Sequence, residues 1–369
     1  MILRHLLLVS YLSGPAGGIH TWTTVVTRQL ARCPGVSVSH VDTAVRWRRQ
    51  GDATLSKRLL GGTVQALRDV FRTVRALRVR SPNCVHVNTS ASLACAKDWL
   101  IIRAAAKARI RCVLQFHVGF IPTLARAKST HWRWVQRNAR LADAVLVLGE
   151  HTARVLSSYL PGVDIRSIPN PIEIPLEAPP LREHGAGPAR FLFLGQMREG
   201  KGIYELVQAC SRLDKDAFNL RMIGNVSEPV RRRLIHLAGP GWERWLKVEG
   251  ELPRQACQRE LLRSDALVLP STGEFEAFPY VVLEAMSVAR PVVVTARGAV
   301  PEIVAANSEY PCGLVVPPGD VGALAGALQA VIDRPEDSAL LGINGFSRAR
   351  SVYEVGRVVD ELCRVWFVP

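Results

Sequence analysis

The sequence predicts an α/β chain made of two open, parallel-sheet domains joined by a linker. Three observations carry this prediction. Residues 267–295 read as strand, loop, helix, strand: a short apolar run breaks at Pro270, Pro279 pre-sets a first helical turn, and Pro291 opens a second buried run. A comparable start lies at 191–194, where Phe191-Leu192-Phe193-Leu194 meets a glycine-rich turn and then a helical pattern from Ile203. Just ahead of that start, residues 169–188 are rich in Pro and Glu and lack periodicity, the composition of a linker. At 369 residues and 48% apolar, the chain is long enough to bury two cores.

In chain order, residues 2–9 form a short buried-strand run. Arg4 ahead of Leu6 to Val9 gives residues 1–18 the look of a leader, but that apolar core is too short, and a glycine loop and an amphipathic helix follow directly. Ser13-Gly14-Pro15-Ala16-Gly17-Gly18 leads into a helix over 19–31. Glycines at a strand-to-helix turn let N–H groups approach an anion at the positive end of a helix, although a plain tight turn uses them as well. Residues 61–80 form an amphipathic helix with Val64, Leu67, Phe71, Val74 and Leu77 in a stripe and Arg68, Arg72 and Arg75 on a neighbouring face. That stripe either packs on the sheet or, with Arg46-Trp47-Arg48-Arg49 and Lys57-Arg58, lies against anionic lipid; the two readings are compatible. A strand over 84–88 holds His86 inside it, a helix covers 92–108, and a strand over 110–116 runs into His117. His117 therefore stands at the carboxyl end of a strand, where open α/β sheets bind ligands. Helix 132–141, strand 144–148, helix 151–159 and strand 165–168 complete this half.

The second half opens with Gly195-Gln196-Met197-Arg198-Glu199-Gly200-Lys201-Gly202 after its first strand. Backbone N–H groups, a helix dipole and a Lys cation add at one place there, which suits a diphosphate. Strands over 220–223 and 246–248 end in Gly224-Asn225 and Gly250-Glu251-Leu252. Glu276 lies in the loop before the helix over 280–288, and Glu284 one to two turns inside it. Two acids on the crevice side of an apolar segment suit a polyhydroxylated ligand. Residues 346–366 read as a final, kinked helix.

Composition narrows the classes. No run of about 18 uncharged apolar residues occurs, so no membrane span is expected. Eight scattered cysteines show no metal spacing, and Cys84, Cys112 and Cys210 sit in strand or helix patterns, as buried thiols of a reducing cytoplasm do. Residues 1–170 hold 25 Lys+Arg against 7 Asp+Glu, so the net +15 arises entirely in the first half. Such asymmetry points to an anionic partner for the N-terminal domain: a membrane surface, a phosphorylated acceptor or nucleic acid. The last is disfavoured, because no zinc spacing, recognition-helix motif or aromatic strand platform is present.

Glu276-Ala277-Phe278-Pro279, followed by Leu283-Glu284-Ala285-Met286, resembles the Glu-x7-Glu signature of the retaining glycosyltransferases of family 4. The resemblance implies the GT-B fold: two Rossmann-like domains facing across a crevice, with a C-terminal helix crossing back to the first. It divides the chain into an acceptor-binding domain, 1–168 with a helix of about 350–369, and a nucleotide-sugar-binding domain, 169–349. It implies that Glu284 holds the ribose hydroxyls, that Glu276 contacts the donor sugar and that His117 stands beside that sugar. Gly17 and Gly18 correspond to the loop that closes over the donor diphosphate. Gly250, Glu251 and Leu252 correspond to backbone framing the base, and the Phe278-Pro279 backbone to an element orienting the sugar. Residues 195–202 resemble the family's Gly-Arg-Leu-x-x-x-Lys-Gly element; Lys201 matches, whereas Gln196 replaces the Arg, so that contact is missing or comes from Arg198. Ala277 stands where the family usually has Gly, and Glu274 competes for the earlier acid but lies off the spacing. Asp214-Lys215-Asp216 copies the metal-holding string of the other glycosyltransferase fold, yet sits at the wrong end of a sheet and reads as a cap and turn. The expected partners are a UDP, GDP or ADP sugar and a glycan or lipid-linked acceptor at the inner face of the cytoplasmic membrane, with no metal or other cofactor. A nucleotide-sugar epimerase of the same fold is the alternative, and a basic nucleic-acid- or membrane-binding protein the alternative from another class.

Overall fold

In a computed structural model the described residues are 4–14, 17–44, 55–91, 95–180 and 187–368. The run Arg46-Trp47-Arg48-Arg49 lies outside them, as do the side chains of Lys57 and Arg58. The chain divides into two units, Met1–Pro171 with Val355–Pro369, and Ile172–Glu354. Each is built on a six-stranded parallel sheet.

In unit 1 the strands are β1 (Arg4–Ser10), β2 (Val36–Asp42), β3 (Cys84–Thr89), β4 (Arg111–Phe116), β5 (Ala144–Val147) and β6 (Ile165–Ser167), in the order β2-β1-β3-β4-β5-β6. Central strands are near-continuous apolar runs because helices cover both faces; Leu6, Leu7, Leu8, Val85 and Val113 are wholly buried. From β1 the chain steps outward to β2, then back past β1 to β3, so the topological switch lies between β1 and β3. The helices are α1 (Gly18–Leu30), α2 (Leu55–Arg80), α3 (Cys95–Lys107), α4 (Ile121–Ala127), α5 (Thr130–Leu141) and α6 (Glu150–Tyr159). Right-handed crossovers in opposite directions put α1 on one face of the sheet and α2, α3 and α5 on the other, where α3 packs between its two neighbours. The C-terminal helix, Val355–Trp366, belongs to this unit: it packs beside α1 and against β3 and β4.

Unit 2 contains β7 (Ala189–Leu194), β8 (Phe218–Ile223), β9 (Leu246–Glu249), β10 (Ala266–Leu269), β11 (Val292–Thr295) and β12 (Gly313–Val316), ordered β12-β11-β10-β7-β8-β9. Its helices are α7 (Ile203–Cys210), α8 (Glu228–Ala238), α9 (Arg254–Arg263), α10 (Tyr280–Met286), α11 (Val300–Ile303), α12 (Val321–Asp333) and α13 (Pro335–Arg348). The chain runs β7, β8, β9 and then returns past β7 to β10, which puts the switch between β7 and β10. The loops after those two strands, 195–202 and 270–279, therefore share one crevice.

Several elements differ from their sequence-based expectation. The predicted helix over 346–366 is two helices: α13 ends at Arg348, a wide π-type turn spans Ala349–Tyr353, and Glu354 is extended before the last helix starts. Ile172 bridges Glu354 at this break, and its N–H donates to Tyr353 O (2.8 Å), so an extended pairing replaces the helical turn. Pro279 is the extended N-cap of α10 rather than its first helical residue. Only the end of the α2 stripe reaches the core: Leu77 is buried and Val74 half-buried, whereas Val64, Leu67 and Phe71 are exposed. The buried row of the helix is Asp69, Thr73 and Leu77, and Phe71, two residues from Thr73, lies about 160° round the helix from it.

Candidate active site

The two loops at the unit 2 switch point are pressed together by backbone. Gly200 O accepts from Thr272 N–H (3.0 Å) and Gly273 N–H (2.9 Å). Gly202 has φ +68°, and a Cβ there would lie 1.8 Å from Pro270 O, so the approach requires glycine. This contact delivers Lys201 to Glu276: Lys201 Nζ donates to Glu276 Oε2 at 2.5 Å, and Ser271 Oγ donates to the same oxygen at 2.8 Å. Ser271 is itself tied down, its carbonyl accepting from Thr295 Oγ1 (2.5 Å). Around the pair is a cavity of about 310 Å³ lined by Arg198, Glu199, Gly200, Lys201, Gly273, Phe275 and Glu276. The Arg198 guanidinium lies over the exposed Phe275 ring, 5.9 Å from its centroid. Gln196 is exposed and outside this lining, as is Glu274.

Ala277 has no positive φ, so the glycine usual at that position is not needed here. The loop below it is held from the other side, where Ala299 N–H donates to Ala277 O (2.9 Å), and Gly298, at φ +54°, leaves no room for a Cβ against Glu276 O. Phe278 is buried edge-on to Tyr353, 5.7 Å between centroids. Glu284, on α10, pairs with Arg254 at the start of α9 (3.3 Å); burial holds its carboxyl above the usual carboxylate range while Arg254 acts against that shift. One turn earlier on α10, the buried Tyr280 hydroxyl has no hydrogen-bond partner among the described residues. Gly250, Glu251 and Leu252 follow β9, the edge strand two positions from β7; Gly250 and Glu251 are exposed, and Leu252 O accepts from Cys257 Sγ (3.6 Å). Asp214 Oδ1 accepts from Asp216 N–H (3.1 Å), a turn contact.

In unit 1, His117 follows β4 and its neighbours fix its chemical form. Trp366 Nε1–H of the C-terminal helix donates to His86 Nδ1 (3.0 Å), so His86 carries its proton on Nε2 and donates it to Asn88 Oδ1 (3.0 Å). The second lone pair of that oxygen accepts from His117 Nε2 (2.7 Å), leaving Nδ1 as the acceptor of the His117 ring. Asn88 Nδ2 donates to Ser10 Oγ (2.8 Å), which also bonds Thr23 Oγ1 (2.5 Å). Trp22 stacks on His86 at 4.9 Å and meets His117 edge-on. Burial pushes His117 down to about 3, with His86 adding to the effect, and His86 down to about 4, so both rings are neutral at physiological pH. Gly17 is the N-cap of α1, with φ −165°, and Gly18 its first residue; a Cβ at either position meets nothing within 4 Å. Neither position therefore requires glycine for its backbone angles or for space.

Sequence reasoning passed over Ser10, Asn88, Trp366, Ser271 and Arg254. Only Asn88 left a local trace: with His86 it makes two polar residues at strand spacing inside an otherwise apolar run, both therefore on one face of the sheet. Trp366 lies 280 residues from His86, and no pattern links them.

Comparison with known proteins covers both halves of the chain. Residues 16–174 match the model described as Glycosyltransferase Family 4, and residues 188–334 match that described as Glycosyl transferases group 1. The amylovoran biosynthesis glycosyltransferase AmsK of Erwinia amylovora is 30% identical over 154 residues, 40% of this chain and 37% of that protein. The MMP alpha-(1->4)-mannosyltransferase of Mycolicibacterium hassiacum is 32% identical over 170 residues, 45% of this chain and 39% of that one. The matches thus span about two fifths of these relatives' own length. Among solved structures, sucrose-phosphate synthase from Thermosynechococcus elongatus superposes with a TM-score of 0.78 at 19% identity, covering 98% of both chains. Anabaena HepE in complex with UDP-glucose gives 0.72 at 16%, again over 98% of each. At such identities the likeness is one of fold.

Proposed function

We propose that this chain, a glycosyltransferase 4-like protein of the two-domain GT-B fold, moves a hexose-type sugar from a nucleotide-diphosphate donor to an acceptor hydroxyl with retention of anomeric configuration. The observation that carries the reading is the unit 2 cavity in which Lys201, Arg198 and Glu276 converge at the switch point. Charge develops on the diphosphate as the anomeric C–O bond breaks, and the Lys201 ammonium, held beside the start of α7, and the Arg198 guanidinium of the same loop stabilise it more in the transition state than in the ground state. They supply the positive charge that a divalent metal supplies elsewhere, so the reaction we assign is metal-independent. Glu276, freed from Lys201 once phosphate takes the ammonium, accepts hydrogen bonds from sugar hydroxyls. We assign Glu284 the same task for the ribose, Gly17 and Gly18 a diphosphate contact through their N–H groups, and Gly250, Glu251 and Leu252 the framing of the base. His117, neutral and with Nδ1 as acceptor, receives a hydroxyl proton of the donor sugar in a hydrogen bond. The acceptor oxygen attacks the anomeric carbon on the face the phosphate leaves, and its proton passes to the departing phosphate oxygen, which balances the step without a separate base.

The acceptor we assign is a lipid-linked or surface-polysaccharide intermediate, in keeping with the name of the amylovoran relative, and the site of action we assign is the cytoplasm. UDP-sugars are the first donors to try, because the HepE complex contains one. The test is a panel of UDP, GDP and ADP sugars, reading diphosphate release with and without acceptor and then the anomeric configuration of the product by NMR. An inverted product refutes retention. Sugar conversion without acceptor marks an epimerase, and a panel with no binding at all ends the reading.

A further inference from the structure

We infer that the outward face of α2, α3 and α5 in unit 1 is a docking surface for an anionic lipid bilayer. The topology puts these three helices side by side on one face of the sheet, with α3 in the middle. Their exposed surface is unusual in two respects at once. First, it presents apolar side chains that the core leaves out: Phe71 is 68% exposed, Leu67 60%, Val64 43%, Leu100 39% and Trp134 37%. Second, its charge has one sign. Ten Lys and Arg of the three helices are exposed, whereas the only acids within their spans, Asp69 and Asp98, are buried. Asp98 is further occupied inside the unit, accepting from Thr89 Oγ1 (2.6 Å).

Each property alone has an ordinary explanation; together they select the occupant. A nucleic-acid groove uses cations but gives no place to Phe71 and Leu67, and a protein partner gives no reason for a face without acids. A bilayer surface answers both, the headgroups meeting the arginines and the acyl boundary receiving the apolar side chains between them. Indole and guanidinium are already combined here as they are at membrane interfaces: Arg137 lies over both Trp99 (4.3 Å) and Trp134 (5.7 Å), and Arg103 over Trp99 (5.1 Å). No helix among the described residues is long and apolar enough to cross a membrane, so the contact is a surface one. The surface extends the reading of a lipid-linked acceptor, but it stands on unit 1 alone.

The experiment is co-sedimentation of the full chain with phosphatidylcholine vesicles with and without phosphatidylglycerol, in the absence of donor. Binding is expected only to the anionic vesicles. Arg72→Gln with Arg75→Gln should lower partition about 25-fold, about fivefold for each charge, and Phe71→Ser about tenfold. Both variants should keep the wild-type Tm, because all three positions are exposed. Arg334→Gln, an exposed cation of unit 2, should bind vesicles as the wild type does. If Phe71→Ser binds as tightly as the wild type, or if duplex DNA is bound and only the arginine variant weakens it, the bilayer is the wrong partner. Equal binding by all variants overturns the surface itself. Donor calorimetry without vesicles tests the transferase reading separately, so failure of one does not hide failure of the other.

Discussion

Replacing Asn88 by Ala removes the one side chain that serves both imidazoles. Its Oδ1 accepts from His86 and His117 at 3.0 and 2.7 Å, and its Nδ2 supplies Ser10. His86 is wholly buried, so its Nε2–H loses its acceptor with no water to replace it, at about 1–3 kcal/mol. Ser10 keeps Thr23, so its loss is about 0.5–1.5 kcal/mol. The sum, about 1.5–4.5 kcal/mol, corresponds to a fall in Tm of about 3–18 °C at 2–4 °C per kcal/mol. Under the proposed function, kcat/KM also falls about tenfold, because the His117 ring is no longer held with Nδ1 toward the sugar. Asn88→Asp separates the two effects. A buried carboxylate keeps the acceptor but favours protonated imidazole, so the acid limb of the pH–rate profile, low in the wild type because His117 is held near 3, moves up toward neutrality. Calorimetric scanning and pH–rate profiles give the readouts. An Ala variant with unchanged Tm and kcat/KM, or an Asp variant whose profile overlays the wild type, would refute the reasoning.

Other outcomes follow from the same structure. Lys201→Ala should lower kcat by about a hundredfold with little change in donor KM, since its charge matters most as the phosphate leaves; intact turnover removes it from the leaving-group role. Glu284→Gln should raise donor KM about 10–100-fold, the equivalent of about 1.5–3 kcal/mol for hydrogen bonds to a charged group, with little effect on Tm because its partner Arg254 is largely exposed. Gly18→Ala should raise stability by about 0.4–1 kcal/mol, because the position is helical and open, while weakening donor turnover; a variant equally stable and fully active would make Gly18 an ordinary helix start. The folded pKa of His86 and His117 lies below the unfolded value, so the stability they contribute is complete above about pH 6.5 and is lost as pH falls toward 4 and 3. Tm should therefore decline between pH 6.5 and 4, and less steeply in His86→Asn; equal slopes would exclude the histidines as the cause.

Much of the fold was legible because it is written locally. A buried parallel strand must be an apolar run and a crossover must be bounded by turn residues, so residues 267–295 show strand, loop, helix and strand in plain order. Elements with a weak apolar signature were not visible: β2 is an edge strand with one buried residue, and α9 buries only Leu261. The α2 stripe shows the opposite failure. Periodicity proves that a helix is amphipathic but does not say what its apolar side meets, and Phe71 faces outward while Thr73 faces in.

What the sequence determined by itself is therefore the set of local commitments: which runs are strands, where glycines open a turn, and that Lys201, Glu276 and Glu284 lie in loop and helix starts at the carboxyl ends of strands. Tertiary structure alone decided the pairings. Lys201 meets Glu276 across 75 residues and Trp366 meets His86 across 280, through side-chain contacts that leave no periodic trace in either partner's neighbourhood. Within unit 2 only the strand order, set by the direction of each crossover, brings the loops of Lys201 and Glu276 to one switch point, and within unit 1 the tautomer of His86 depends on which groups the fold places beside it.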